Sequence, residues 1–276
     1  MVVTLPVLPD ELRICTIQWN IVSRAAEENL SVCERLLEQT AGFRPDIIVL
    51  PEMWSRSFCG SNLQSEARVF EKRLEFCRRM ANDLGSWLAA GTLPEQATEN
   101  RVYNSFILLD SEGNTRLTYR KLHLFRPTGE DNFFLAGTGT PSPCQSGPWS
   151  VGAGICFDLR FPELFRVQAK RGANLFLLPA QYPNPHQEFF RVLSRARAIE
   201  NQACIVSANR TGQEGNFSFF GGSIFVDHCG KILSESTAEE GIGFACFRAS
   251  DIEKNRRDFP FLELTPVLDE MTHEKK

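Results

Sequence analysis

The chain has 276 residues, 42% of them hydrophobic and 23% charged, with a formal net charge of −4. That balance describes a soluble globular protein with a core of normal size, and it offers no basic face to nucleic acid. No apolar run reaches the roughly 18 residues of a membrane span, and "MVVTLPVLPDELR" lacks the basic and apolar regions of a secretory signal.

The elements are read in chain order. "LRICTIQW" (12–19) is apolar and β-branched, a strand. "AAEENLSVCERLLEQTA" (25–41) puts Leu30, Cys33, Leu36 and Leu37 on one helical stripe. "DIIVLPE" (46–52) is a short buried strand stopped by Pro51. "LQSEARVFEKRLEFCRRMANDLG" (63–85) reads as one long amphipathic helix closed by Gly85. "WLAAGTL" is a strand, and "VYNSFILLDSEGNTRLTYRK" (102–121) a hairpin turning at "DSEGN". "PWSVGAGIC" (148–156) is a strand and "FPELFRVQAKRG" a helix. "ANLFLLPA", "HQEFFRVLSRARAIENQ" and "ACIVSANR" read as strand, helix and strand. A second hairpin, "GSIFVDHCGKILSES", and a last strand, "IGFACFRA", follow. β-α alternations flanking two hairpins predict one layered α/β domain over 1–276 with mixed sheets. The segment from about 258, "DFPFLELTPVLDEMTHEKK", reads as irregular, with Phe and Leu residues that need a surface, such as another subunit.

Nine cysteines are scattered, with no C-x-x-C and no zinc spacing. They read as free thiols of a reducing compartment, the cytoplasm, and no metal site is expected. Three ionisable residues stand where apolar strands finish. Glu52 follows "IIVLP", Lys121 follows "LTYR" and Cys156 follows "VGAGI". Each alone has an ordinary explanation: a solvated strand end, a surface lysine, a core thiol. Together they suit acyl transfer through a thioester. Glu52 would move the thiol proton to the departing amine. Lys121 and the Phe157 amide would meet the oxyanion. The positive end of the helix "FPELFR" would lower the thiol pKa. A Cys–His pair is the rival, with His123 as its candidate base.

"IVLPEMW", "YRKLHLF" and "GICFDLRFPELFR" resemble the signature regions of the nitrilase superfamily of carbon–nitrogen hydrolases. "RARAIENQACIVSANR" and "GGSIFVDHCGKIL" resemble later family segments, so the likeness spans about residues 12 to 260. The resemblance implies a four-layer α-β-β-α sandwich, no metal or organic cofactor, and a homodimer or higher homo-oligomer. Its interfaces would use helices near the nucleophile and the C-terminal tail. It also implies Glu52 as base, Lys121 as oxyanion cation, Cys156 as nucleophile and Glu130 as a second glutamate that orients the amide. "CFDLRFPE" and "HLFR" resemble the omega-amidase branch, which acts on small amides such as 2-oxoglutaramate. Phe157 stands where that branch commonly has Tyr, and Phe189-Phe190 where it often has His-Trp.

Around these positions, Trp54, Met53 and Phe58 are read as residues that desolvate Glu52 or pack under its loop, and Cys59 as inert. Trp54, Tyr182 and Arg210 are the pocket candidates. Asp158 and Arg160 are read as an ion pair fixing the loop after Cys156. A distal substrate carboxylate would need a cation, with Arg56, Arg126, Arg160 and Arg210 as candidates. The expected function is hydrolysis of a small linear amide to a carboxylate and ammonia. N-carbamoyl hydrolysis by the same residues, a catalytically silent binding protein and a redox-sensing thiol protein are the alternatives.

Overall fold

A computed structural model describes residues 6–22, 25–57 and 63–264, so Phe58, Cys59 and the tail beyond 264 lie outside the described residues. The chain opens with β1 (Glu11–Gln18), α1 (Ala26–Gln39) and β2 (Ile47–Val49). Helices α2 (Leu63–Ala67) and α3 (Phe70–Leu84) lead to β3 (Trp87–Gln96), β4 (Val102–Leu109) and β5 (Thr115–Arg120). Next come β6 (Cys144–Ser146), β7 (Trp149–Ala153), α4 (Pro162–Lys170), β8 (Leu175–Pro179), α5 (Gln187–Asn201) and β9 (Cys204–Ala208). A ribbon of β10 (Thr211–Glu214) and β11 (Phe217–Phe220) precedes β12 (Ile224–Val226) and β13 (Ile232–Glu235). Then follow β14 (Gly241–Arg248) and α6 (Ala249–Asp258).

Two six-stranded mixed sheets form, ordered β14-β1-β2-β3-β4-β5 and β13-β12-β9-β8-β7-β6. Strands of the first sheet are apolar on both faces because each face meets a different core. Ile14, Ile47, Trp87 and Phe106 point between the sheets, toward Val151, Leu175 and Leu177. Their neighbours Cys15, Ile48, Leu88 and Ile107 point outward onto Leu36 and Leu37 of α1 and Leu74 and Met80 of α3. Helices α4 and α5 cover the second sheet, where Phe165 meets Phe176 edge to face at 5.2 Å. The expected four-layer α-β-β-α sandwich is the observed one.

One predicted element changes, and two elements were not predicted. The long helix over 63–85 is two, because Val69 leaves helical geometry (φ −104°, ψ 14°) and buried Arg73 reaches back to Glu66 at 2.8 Å. The polar segment before residue 258, to which no element is assigned from sequence, is α6. It buries only Ala249 and Ile252, and its N-terminus is held by Asp10, whose carboxylate accepts from the Ser250 N–H at 2.9 Å. A cap from the far end of the chain leaves no local sequence signal. The β10–β11 ribbon likewise has no counterpart among the predicted elements. The tail segment from Phe259 to Leu264 forms no helix or strand, as expected.

All eight described cysteines are free thiols. No helix among the described residues is long and apolar enough to cross a membrane.

Candidate active site

Glu52 is held by the loop after β2. Gly91 lies at a bulge between Ala89 and Thr92 of β3, with φ +58°. A Cβ there would come within 2.1 Å of the Pro51 carbonyl oxygen, so glycine is required for the loop to lie against the strand. The bulge frees Thr92 Oγ1 to accept from the Met53 N–H at 2.8 Å. It also exposes the Ala90 carbonyl, which accepts from Trp54 Nε1 at 2.9 Å. Trp54 is therefore fully buried in the outer core beside Phe76, and it does not line the cleft, contrary to its pocket assignment. It anchors the loop from behind.

Lys121 follows β5, and its N–H donates to the Asn104 carbonyl at 2.9 Å. Its side chain is 2% exposed. Nζ donates to Glu52 Oε1 at 2.9 Å and to Glu130 Oε1 and Oε2 at 2.9 and 3.0 Å. Asn104 Nδ2 donates to Glu52 Oε1 at 2.8 Å. The Phe125 N–H donates to Glu130 Oε2 at 2.6 Å. Buried charges persist only when paired and hydrogen-bonded, and this cluster meets that condition. Burial pulls the Lys121 pKa down, but Glu130 and Glu52 outweigh it and hold the amine well above its ordinary range. Lys121 is a fixed cation.

Cys156 lies in a tight turn three residues beyond β7. The strand stops at Ala153 because Gln168 of α4 takes both backbone groups of that residue. Oε1 accepts its N–H and Nε2 donates to its carbonyl, each at 2.9 Å. Cys156 then adopts φ +46°, a left-handed angle that costs a non-glycine residue about 1 kcal/mol or more. Burial, then the charge of Glu52, push its thiol well above the ordinary value; Lys121 and the Gln181 N–H oppose them without prevailing. The expected lowering by a helix end is not found, because α4 starts only at Pro162, after the turn. At neutral pH the thiol keeps its proton beside a carboxylate. Alkylation of Cys156 by iodoacetamide should therefore be slow near neutrality and should accelerate as pH rises past the ordinary thiol range. A rate that already plateaus at neutral pH would contradict this.

Glu52, Lys121, Glu130 and Cys156 line one cleft, about 450 Å³ counted to its open mouth. Phe157 and Tyr182 line it too, Tyr182 as one of the three pocket candidates. His123, the rival base, is not in the lining; its Nδ1 faces Asp158 Oδ1 at 2.7 Å. The Asp158–Arg160 ion pair does not form. Asp158 is buried and bonded to Ile155, Tyr119 and His123, while Arg160 lies over Phe157 and Phe189 and lines the cleft. Arg210 is also corrected. It is buried behind the cleft, bonded to Glu214 at 2.8 Å, Ser57 at 2.9 Å and the Gln181 carbonyl oxygen Oε1 at 3.1 Å. Of the four candidate cations, only Arg160 lines the cleft. Arg56 faces Glu66 at 3.7 Å and Arg126 faces Asp131 at 3.8 Å.

Sequence reading missed Gln181 and Asn104. The Gln181 N–H donates to Glu52 Oε2 at 2.9 Å and its Nε2 to the Glu52 carbonyl at 2.7 Å. Glu52 Oε1 thus accepts from two fixed donors and Oε2 from one, which leaves Oε2 a lone pair for a proton. Gln181 was visible only as a polar residue directly after the strand "LFLLPA". Among the described residues, no group of three or more His, Cys, Asp or Glu is placed to hold a metal ion.

Residues 13–257 match the family model described as carbon-nitrogen hydrolase. The chain is 31% identical over 251 residues to a 2-oxoglutaramate amidase of Bacillus subtilis, covering 91% of this chain and 96% of the relative. A second 2-oxoglutaramate amidase, from Paenarthrobacter nicotinovorans, is 33% identical over 79% of this chain and 78% of its own. Among solved structures, a mutant amidase from Nesterenkonia sp. AN1 superposes with a TM-score of 0.81 at 26% identity, over 90% of this chain and 97% of that one. That structure is described as showing Michael addition of acrylamide at the active site cysteine. This chain belongs to the carbon-nitrogen hydrolase family.

Proposed function

We propose that this carbon-nitrogen hydrolase converts a small linear amide to its carboxylate and ammonia, through a thioester on Cys156. The observation that carries the reading is one cleft that brings together the Cys156 thiol, a carboxylate fixed by three donors and a buried lysine paired with two glutamates. Glu52 takes the Cys156 proton as Sγ attacks the amide carbon. The oxyanion of the tetrahedral intermediate is met by Lys121 and the Phe157 N–H. Glu52 passes the proton to the nitrogen, the C–N bond breaks and ammonia leaves. Water then gives a proton to Glu52 and attacks the thioester, and the returning proton regenerates the thiol. Glu130 keeps Lys121 charged and orients the amide.

Arg160 supplies the cation for a distal carboxylate. Tyr182 OH, beside Arg160, and His186 Nδ1, buried in the cleft wall, suit a small polar acid. Relatives named 2-oxoglutaramate amidase support an amide of a short dicarboxylic acid. Ammonia release should therefore be measured over a panel of such amides and N-carbamoyl amines. Turnover by wild type that falls at least about 10⁴-fold in Cys156→Ala is expected. A folded Cys156→Ala variant that retains turnover would remove Cys156 from the reaction.

The same reading has the protein in the cytoplasm as a homodimer or higher homo-oligomer, with a dimer as its smallest form. Phe189, Val192 and Ile199 of α5 and Phe259 near the C-terminus are apolar and about half exposed or more. Val192→Glu should convert the dimer to monomer in analytical ultracentrifugation; a wild type that sediments as a monomer rules the interface out.

A further inference from the structure

We propose that Asp158 is a positioning residue of this reaction: its buried carboxylate ties the Cys156 turn to the strand end that carries Lys121, and so sets nucleophile against cation. The inference rests on the roles given above to Cys156 and Lys121.

The two groups come from different sheets. Lys121 follows β5, an edge strand of the first sheet, and Cys156 follows β7 of the second. No strand pairing fixes one relative to the other. Asp158 does so with both oxygens. Oδ2 accepts from the Ile155 N–H at 2.9 Å, immediately before the nucleophile, and from Tyr119 OH at 2.8 Å. Oδ1 faces the His123 N–H at 3.1 Å and His123 Nδ1 at 2.7 Å. Tyr119 and His123 stand two residues before and two after Lys121. The bracket is closed further by the Leu122 N–H, which donates to the Tyr119 oxygen at 3.1 Å. The His123 ring lies flat on Phe161, with centroids 3.6 Å apart and planes 6° off parallel, which fixes the direction of its Nδ1. Phe161 closes the same turn through its N–H to the Asp158 carbonyl at 2.9 Å.

This arrangement also accounts for the left-handed Cys156. The Asp158 carboxylate and N–H both bond back to Ile155, across Cys156 and Phe157, so Cys156 is held at an angle it would not keep alone. Loosening the bracket lets the turn relax and moves Sγ from its partners, and misplacement by about 1 Å costs on the order of 10²-fold in rate.

The test compares wild type with Asp158→Asn, Tyr119→Phe and His123→Phe, the last keeping an aromatic ring over Phe161. Asp158→Asn turns an N–H₂ group toward one pair of donors. It should lower kcat about 100-fold with KM changed less than about threefold. Tyr119→Phe removes one donor and should lower kcat about tenfold. A second readout needs no turnover: iodoacetamide labelling resolved by peptide mass. Cys156 should label at least about tenfold faster at neutral pH in Asp158→Asn, because a relaxed turn frees the thiol from burial and from Glu52. Cys33 and Cys77, deep in the core, should stay unlabelled, which separates a loosened turn from unfolding. Slower turnover together with faster labelling is the signature. If Asp158→Asn does not fold, the Tyr119 and His123 variants carry the test in the same direction. Folded variants with wild-type kcat and unchanged Cys156 labelling would overturn the proposal. Absence of wild-type turnover would count against the reaction assigned above, while the labelling result would still decide the role of Asp158.

Discussion

Glu52→Gln should lower kcat by about 10⁴-fold, the upper end of what a general acid–base contributes, while the chain remains folded. The side chain keeps its size, so the cleft keeps its shape. The loss is chemical. An amide cannot take the Cys156 proton, and burial makes that thiol more reluctant still to give it up. There is also a smaller structural cost. One Glu52 oxygen accepts from Lys121 and Asn104 and the other from the Gln181 N–H. Either orientation of the new amide turns N–H toward a donor, at about 1–3 kcal/mol. Ammonia release and a thermal melt on the same sample separate the two effects. A folded variant within tenfold of wild type would remove Glu52 from proton transfer.

Lys121→Met should lower kcat by at least about 10²–10³-fold and destabilise the fold. Loss of the oxyanion cation costs about 10²–10³-fold in kcat. The packing cost is larger than for a surface lysine, because Glu52 and Glu130 then face each other without the ammonium that bridges them at 2.9 Å each. Breaking a buried ion pair by removing one partner costs about 3–5 kcal/mol. In the variant a proton must replace the cation. The folded form then binds more protons than the unfolded chain, so stability falls as pH rises. Denaturant titration should show a greater loss near pH 8 than near pH 5. An equal loss at both would mean that the two carboxylates do not need the lysine.

Much of the fold was legible because the first sheet is buried on both faces. Runs such as "ICTI" and "FILL" need no partner to be named as strands. Glu52, Lys121 and Cys156 could be singled out because a charge or a thiol at the end of an apolar strand is conspicuous, whereas Glu130 came only from the family resemblance. Their convergence on one cleft required the sheets to stack. What stayed hidden depends on contacts between distant segments. Asp158 looked like a partner for Arg160, its neighbour in sequence, yet its bonds go to Tyr119 and His123 on another strand end. Trp54 looked like a pocket wall until the β3 bulge offered its N–H the Ala90 carbonyl. Arg210 reads as a candidate to meet a substrate, but the ribbon that supplies Glu214 has no counterpart among the predicted strands. The missing ribbon and the misplaced arginine are one error. Gln181 carried only the signal of a polar residue after a strand, since half of what it does is done by its backbone N–H.

The central claim is a covalent acyl group on Cys156, formed by a thiol that starts protonated. Wild-type protein should be mixed with a turned-over amide, quenched in acid at successive times and digested for peptide mass measurement. The expected result is an acyl adduct on the Cys156 peptide that appears no later than the first ammonia and is absent from every other cysteine. Ammonia released at full rate with Cys156 unmodified at every quench time would contradict the account.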